Sequence, residues 1–263
     1  VLPLVRLRDN ITLEPNTYEI RLHDHVIGTG QLEPDKFLAM DPGTVTQEIE
    51  GQNAEEPVFN LPAIWIGPEQ KSQAELNGYT VVDPESVLVT HLSEALKRHA
   101  CELLSRDDTQ NLVDRLREKH ATLVSEVIGD LVPIGLLHRV LQNLLRDSIP
   151  IRDLTQIIEA LGDHAGRTKD PGILTELTRK ALVRPITERS LDAEENIWSI
   201  VLAPSLEYEL CNSLSSGPDG ENLNIAPEQV LALGRELIEG WRTAVGNGHD
   251  QTVLLCDRRL RPH

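Results

Sequence analysis

The sequence predicts an α+β multidomain chain, and three observations carry that expectation. Alternating apolar and polar residues open the chain, helical periodicity replaces them abruptly at Ser105, and mixed patterns return after Arg189. A length of 263 residues is more than one core usually needs and suggests about two domains. The texture divides the chain further. An α/β subdomain is expected from 1–33 with 84–104, and a small inserted α/β subdomain at 34–83. An all-helical subdomain follows at 105–189. A C-terminal α/β subdomain at 190–263 stops soon after Arg258-Arg259-Leu260-Arg261, where another element is expected, and so reads as truncated.

The elements follow in order. Leu4-Val5-Arg6-Leu7-Arg8 alternates in part and reads as a strand. Tyr18, Ile20 and Leu22 alternate against Glu19, Arg21 and His23, and Asp24-His25 is expected to turn this strand into Val26–Gly30 as a hairpin. Turn signals at Asp41-Pro42-Gly43 and Gly67-Pro68 flank the apolar strand Ala63-Ile64-Trp65-Ile66, and Val81-Val82 is a further strand. Pro84 behind Asp83 opens a helix to about Leu104, with proline at the first helical position and aspartate as the cap.

Ser105 with Asp108 resembles a capping box, and Leu112, Val113 and Leu116 follow it at helical spacing. Pro133 starts a helix with Leu137, Val140, Leu141 and Leu144 on its stripe. Leu154, Ile157, Ile158 and Leu161 form a third stripe that Gly162 is expected to end, and Asp170-Pro171 caps a fourth. Beyond Arg189, Ile197–Ala203 reads as a strand, Pro204–Leu214 as a short helix and Ser215–Gly220 as a loop. A long helix follows from Ala226-Pro227 through Val245, and then a strand from Thr252 to Cys256.

Composition narrows the function classes. There are 42 acidic against 25 basic side chains, a net charge of −17. The first 83 residues carry −9 and residues 191–263 carry −7, while residues 106–190 are neutral. Such a surface repels phosphate backbones and anionic headgroups, so nucleic acid and membrane-surface binding are disfavoured. Cys101, Cys211 and Cys256 are far apart and form no CxxC pair, which fits buried thiols in a reducing cytosol and not a disulfide framework or a zinc site. No apolar run approaches the ~20 residues of a membrane span, and the amino-terminal residues run straight into Arg6, Arg8 and Asp9 instead of a signal peptide.

No motif for chemistry emerges. Gly28-Thr29-Gly30 lacks the third glycine of a dinucleotide fingerprint and reads as a hairpin or bulge. His23 and His25 could face the same side of a strand, but no other cluster completes a metal site; His91 and His99 lie eight apart on one helix and read as structural. There is no Gly-x-Ser-x-Gly elbow. With so many carboxylates, pairs such as Glu55-Glu56 and Asp107-Asp108 arise from composition alone. No catalytic residue, cofactor or metal is therefore expected. The leucine stripes of 112–182 read as bundle core. The stretch of interest is Glu56-Pro57-Val58-Phe59-Asn60-Leu61-Pro62-Ala63-Ile64-Trp65-Ile66, where two prolines frame an aromatic. A Phe beside a strand is more often core, yet a proline-framed aromatic also suits a docking surface.

Several blocks resemble the FlhA-type export-gate family of flagellar and type III secretion protein export. They are Val5–Asn10, Phe37–Gly43, Glu56–Ile66, Gly78–Asp83, Val89–Leu92, Val140–Leu145 and Pro150–Leu154, in the family's order; after ~190 only Val253-Leu254-Leu255 and Arg261-Pro262 match. The resemblance implies an inner-membrane protein whose amino-terminal half, absent here, spans the membrane. The half represented here would face the bacterial cytosol, with four subdomains that assemble into a ring. It implies docking of export chaperone–substrate complexes, and contacts with the ATPase stalk and the substrate-switching gate protein. Chaperones of the flagellar branch dock at an apolar dimple, and the matching positions are Glu56, Phe59 and Thr90. Glu56 is one methylene longer than the aspartate common in that motif. The blocks look more flagellar than virulence-associated.

Two other classes compete with a docking platform: a purely structural ring-building module, favoured if Phe59 is occluded, and an acidic hydrolase, favoured by a compact polar pocket with perturbed carboxylates.

Overall fold

The computed structural model describes residues 4–43, 45–217, 220–249 and 251–262. The chain divides into two compact units, one up to Leu103 and one from Leu104 onward.

In the first unit, β1 (Thr17–Leu22) and β2 (His25–Gln31) pair antiparallel, from Thr17↔Gln31 to Leu22↔His25. The turn is His23-Asp24, one residue earlier than expected. Both residues adopt left-handed φ, 47° and 66°, as a type I′ hairpin requires, and His25 already belongs to β2. The strand expected at Leu4–Arg8 is not formed. This segment is exposed and has no ladder, and alternation without a partner leaves backbone groups better satisfied by water.

A four-stranded antiparallel sheet follows, in the order β4-β5-β3-β6, built from β3 (Phe37–Met40), β4 (Gln52–Glu55), β5 (Pro62–Ile66) and β6 (Thr80–Val82). Its two faces follow the strand period of two. Leu38, Ala63 and Trp65 lie on one face with Val87 of α2 (Pro84–Arg98), while Ala39 and Ile66 lie on the other with Ala74 of α1 (Lys71–Leu76) and Tyr79. Both faces are covered, which is why this sheet reads as apolar runs. β4 was not legible because an edge strand of Gln-Asn-Ala-Glu carries no apolar alternation. Asp83 caps α2 by accepting the Ser86 amide N–H, 2.8 Å, and the short helix α3 (Ala100–Leu103) ends the unit.

The second unit begins with six helices: α4 (Arg106–Arg117), α5 (Ala121–Val127), α6 (Ile134–Arg146), α7 (Leu154–His164), α8 (Pro171–Ala181) and α9 (Val183–Glu188). The expected caps form: Ser105 and Asp108 make a reciprocal capping box, and Asp170 accepts the Ile173 amide N–H at 2.9 Å. Val113, Val124, Leu137, Leu141, Leu144, Ile157, Ile158, Leu161 and Leu174 are fully buried in one core. A one-residue bridge, Ile128↔Val132, joins α5 to the start of α6. Gly162 does not end α7, which continues to His164. A Cβ at that position would lie 2.8 Å from a Val127 methyl, so the glycine serves close packing of α7 on α5.

Residues 190–262 add β7 (Ser199–Val201), α10 (Pro204–Asn212), β8 (Leu214–Gly217), β9 (Gly220–Leu223), α11 (Pro227–Gly246) and β10 (Val253–Leu255). β7 and β10 pair in parallel. The loop expected at 215–220 is instead the two strands of an antiparallel hairpin, β8 and β9; its residues 218–219 lie outside the described residues. Leu202, Leu210 and Leu260 form a small core here. The guanidinium of Arg261 pairs with Glu176 on α8, tying this region to the helices. Among the described residues no helix is long and apolar enough to cross a membrane.

Candidate functional site

The six residues from Glu56 to Leu61 connect β4 to β5, whose ladder ends at Glu55↔Pro62. Pro57 has no N–H, so the connection has few backbone donors to satisfy, and one side chain satisfies two of them. The Glu56 carboxylate accepts the Val58 amide N–H at 3.0 Å and the Phe59 amide N–H at 2.7 Å. The Glu56 backbone completes the closure. Its N–H donates to Leu61 O at 2.8 Å, and its carbonyl accepts the Asn60 N–H at 2.9 Å. Asn60 takes the left-handed φ of 55° that such a tight reversal needs, a conformation asparagine tolerates better than most residues.

The consequence is an alternation of fates within the loop. Glu56 is 5% exposed and Val58 3%, while Phe59 between buried neighbours stands 64% exposed and Leu61 44%. Phe59 is thus not core. Both oxygens of the Glu56 carboxylate are committed to backbone amides inside the loop. Thr90 is exposed on α2, beside Val89, which is also exposed. With 100° per residue, Thr90 lies about a quarter turn from the inward-facing line of Val87, His91 and Ala95.

Three residues not singled out in the sequence as part of this site underlie the loop. The Arg98 Nη2 donates to the Val58 carbonyl at 2.9 Å, tying the loop to the end of α2. His91 is buried, and its Nδ1 lies 2.7 Å from the Tyr18 hydroxyl of β1. Burial pushes the His91 pKa down; the Glu56 charge opposes this and the Arg98 charge adds to it, so both lie within electrostatic reach of the ring. Burial, with the Glu56 charge, pushes the Tyr18 phenol up to about 12. Gly28 on β2 makes room for this arrangement, since a Cβ there would sit 2.7 Å from His91 Nε2. Glycine 28 therefore serves a close approach to a side chain. No local pattern announces these partners: Arg98 and Val58 are separated by 40 residues, and Tyr18 and His91 by 73.

Chemically the arrangement presents an apolar side chain, Phe59, above a buried carboxylate that is hydrogen-bonded to the loop backbone. The nearby polar groups are spent on backbone or on each other, and among the described residues no group of three or more His, Cys, Asp and Glu is placed to hold a metal. A shallow recess of about 380 Å³ lies elsewhere, lined by Glu159, Asp163, His164 and Lys180 of α7 and α8.

Fold and loop together describe an α+β chain that holds an exposed apolar side chain on a hydrogen-bonded loop. The chain belongs to the FHIPEP family, whose model matches residues 1–263, so the likeness read in blocks up to Leu154 extends through the C-terminal region. It is similar to the flagellar biosynthesis protein FlhA of Escherichia coli K12, 39% identical over 260 residues, and to that of Bacillus subtilis 168, 38% identical over 261 residues. Each alignment covers 99% of this chain but only 37% and 38% of those proteins, so the chain spans little more than a third of the curated relatives it matches. Its fold is that of the Chlamydia pneumoniae CdsV protein, with a TM-score of 0.76 at 22% identity, covering 88% of this chain and 66% of that one. The nonameric EPEC SctV-C is similar too, with a TM-score of 0.68 at 22% identity, covering 91% and 78%.

Proposed function

We propose that this chain is the cytosolic part of a bacterial type III export gate, and that it docks export chaperone–substrate complexes at Phe59. Glu56 acts as the buried staple of the docking loop, and Thr90 on the flank of α2 supplies a methyl to the wall. The observation that carries the reading is the pairing of a 64%-exposed Phe59 with a backbone held by the buried Glu56 carboxylate. An exposed aromatic is costly in water, and a loop that fixes it has removed in advance the ordering cost a partner would otherwise face. Membership of the family supports the export-gate role, and relatives named for flagellar biosynthesis at 38–39% identity support the flagellar branch.

The remaining partners follow from the same reading. The nonameric assembly of the EPEC protein supports a ring for this one, and a structure of CdsV with CdsO supports a further protein partner. The ATPase stalk and the substrate-switching gate protein are the partners the family resemblance implies. Attachment to the inner membrane would come from a segment outside this sequence. The proposed subdomain plan is 1–33 with 84–104, then 34–83, 105–189 and 190–263; the confinement of the four-stranded sheet to residues 37–82 supports it.

The test is made in cells. Phe59→Ala in the full-length protein should leave it at normal abundance while chaperone-dependent substrates stay in the cytosol. Normal export of those substrates by the variant overturns the reading.

A further inference from the structure

We infer that Arg98 is a positioning residue for docking: it sets the display of Phe59 through the Val58 carbonyl without itself touching the partner. The inference rests on the docking role of Phe59 proposed above and adds to it the group that fixes the loop from outside.

The loop's internal bonds fix its shape. Glu56 holds the Val58 and Phe59 amides, and its own backbone closes onto Asn60 and Leu61. A tilt of the loop about its two strand ends would swing the Val58–Phe59 peptide away from the buried Glu56 carboxylate and open these amide hydrogen bonds. The Val58 side chain is buried and resists such a tilt. The Arg98 guanidinium, 2.9 Å from the Val58 carbonyl, resists it too, by holding the backbone. Because Val58 precedes Phe59, the peptide plane held by Arg98 is the one that carries the Phe59 N–H. Turning that plane turns the Phe59 Cα–Cβ direction with it. A charged donor is suited to this task, since hydrogen bonds to ionised groups are roughly twice as strong as neutral ones. The arginine fork also gives directionality that a lysine ammonium lacks.

Arg98 has a competing role that the same geometry allows. It is the last residue of α2, where a cation favours the negative helix end. The two roles leave different signatures. A helix-end role protects the His99 amide, which donates to Ala95 O, whereas a positioning role protects the loop amides of Val58 and Phe59.

The experiment uses the 263-residue chain and two variants, Arg98→Met, which keeps the apolar stem without a donor, and Arg98→Lys. The chain has two phenylalanines, so 4-fluorophenylalanine gives two fluorine NMR signals, from half-buried Phe37 and exposed Phe59. In Arg98→Met the Phe59 signal should shift or broaden and the Phe37 signal stay in place. Hydrogen exchange at the Val58 and Phe59 amides should quicken about tenfold, with Trp65 in the sheet unchanged and Arg98→Lys intermediate. Affinity for a purified export chaperone–substrate complex should fall about tenfold, as loss of one charge-assisted bond allows. Unchanged loop exchange and unchanged affinity in Arg98→Met, beside a Phe59→Ala variant that has lost binding, would overturn the positioning role alone. Faster exchange confined to His99, or spread equally to Trp65, would overturn it in favour of a helix-end or general structural role. Normal binding by Phe59→Ala would instead remove the docking reading on which the inference stands.

Discussion

The buried carboxylate of Glu56 accepts the amide N–H of Phe59 at 2.7 Å, so the residue that holds the loop and the residue it displays are joined directly. Replacing Glu56 with Gln keeps the shape but leaves one acceptor oxygen for two amide donors, and it turns an NH₂ group toward one of them. A buried donor left unsatisfied costs about 1–3 kcal/mol. Glu56→Gln is therefore expected to lower stability by about that amount in denaturant titrations and to weaken partner binding as well. Glu56→Asp, whose shorter reach should strain one of the two bonds, should cost less than Gln.

Protonation of His91 gives a pH dependence with a definite sign. Burial holds its folded pKa below the ordinary value of 6.5, so the unfolded chain binds more protons as the pH falls through that value. Charged and polar groups face it from three directions: Tyr18 of β1, Glu56 of the loop and Arg98 of α2. Stability should be level above about pH 7 and decline below about 6.5, levelling off again below the folded pKa. Melts of wild type and His91→Gln across pH 5–8 check this, and the variant should lose the slope. At the other extreme, Tyr18 near 12 against 10 when unfolded predicts declining stability above about pH 10.

Two glycines serve close packing, and their alanine variants should differ in how far helix propensity offsets the clash. Gly28→Ala puts a Cβ 2.7 Å from His91 Nε2 in a strand, with nothing gained. Overpacking of that kind costs roughly 1–3 kcal/mol. Gly162→Ala meets a Val127 methyl at 2.8 Å, but inside α7 it also recovers about 1 kcal/mol of helix propensity. Thermal unfolding should show the larger loss for Gly28→Ala.

The helical part of the fold was plainly legible because its signals are local. Caps at Ser105, Asp108 and Asp170 and stripes such as Leu137, Val140, Leu141 and Leu144 act within one or two turns. What escaped depends on pairing over distance. Leu4–Arg8 alternates yet has no partner strand, and Gln52–Glu55 does not alternate yet pairs with β5. Gly162 reads as a stop signal in sequence and acts as a packing notch in space. The same holds for the site. The proline-framed Phe59 stood out, but its exposure depends on the staple by Glu56. Neither Arg98 nor Tyr18 carries any mark of its place beside the loop.

The central claim is that Phe59 is a docking residue held ready on a rigid loop. Its most direct test is calorimetric titration of a purified export chaperone–substrate complex into wild type and Phe59→Ala, with thermal melts of both. Truncating a buried Phe would cost about 3–5 kcal/mol of stability, whereas this exposed one should leave the melting temperature within a few degrees. Loss of an aromatic anchor should weaken binding about thirtyfold, equivalent to ~2 kcal/mol. A variant that unfolds, or one that binds as tightly as wild type, would contradict the account.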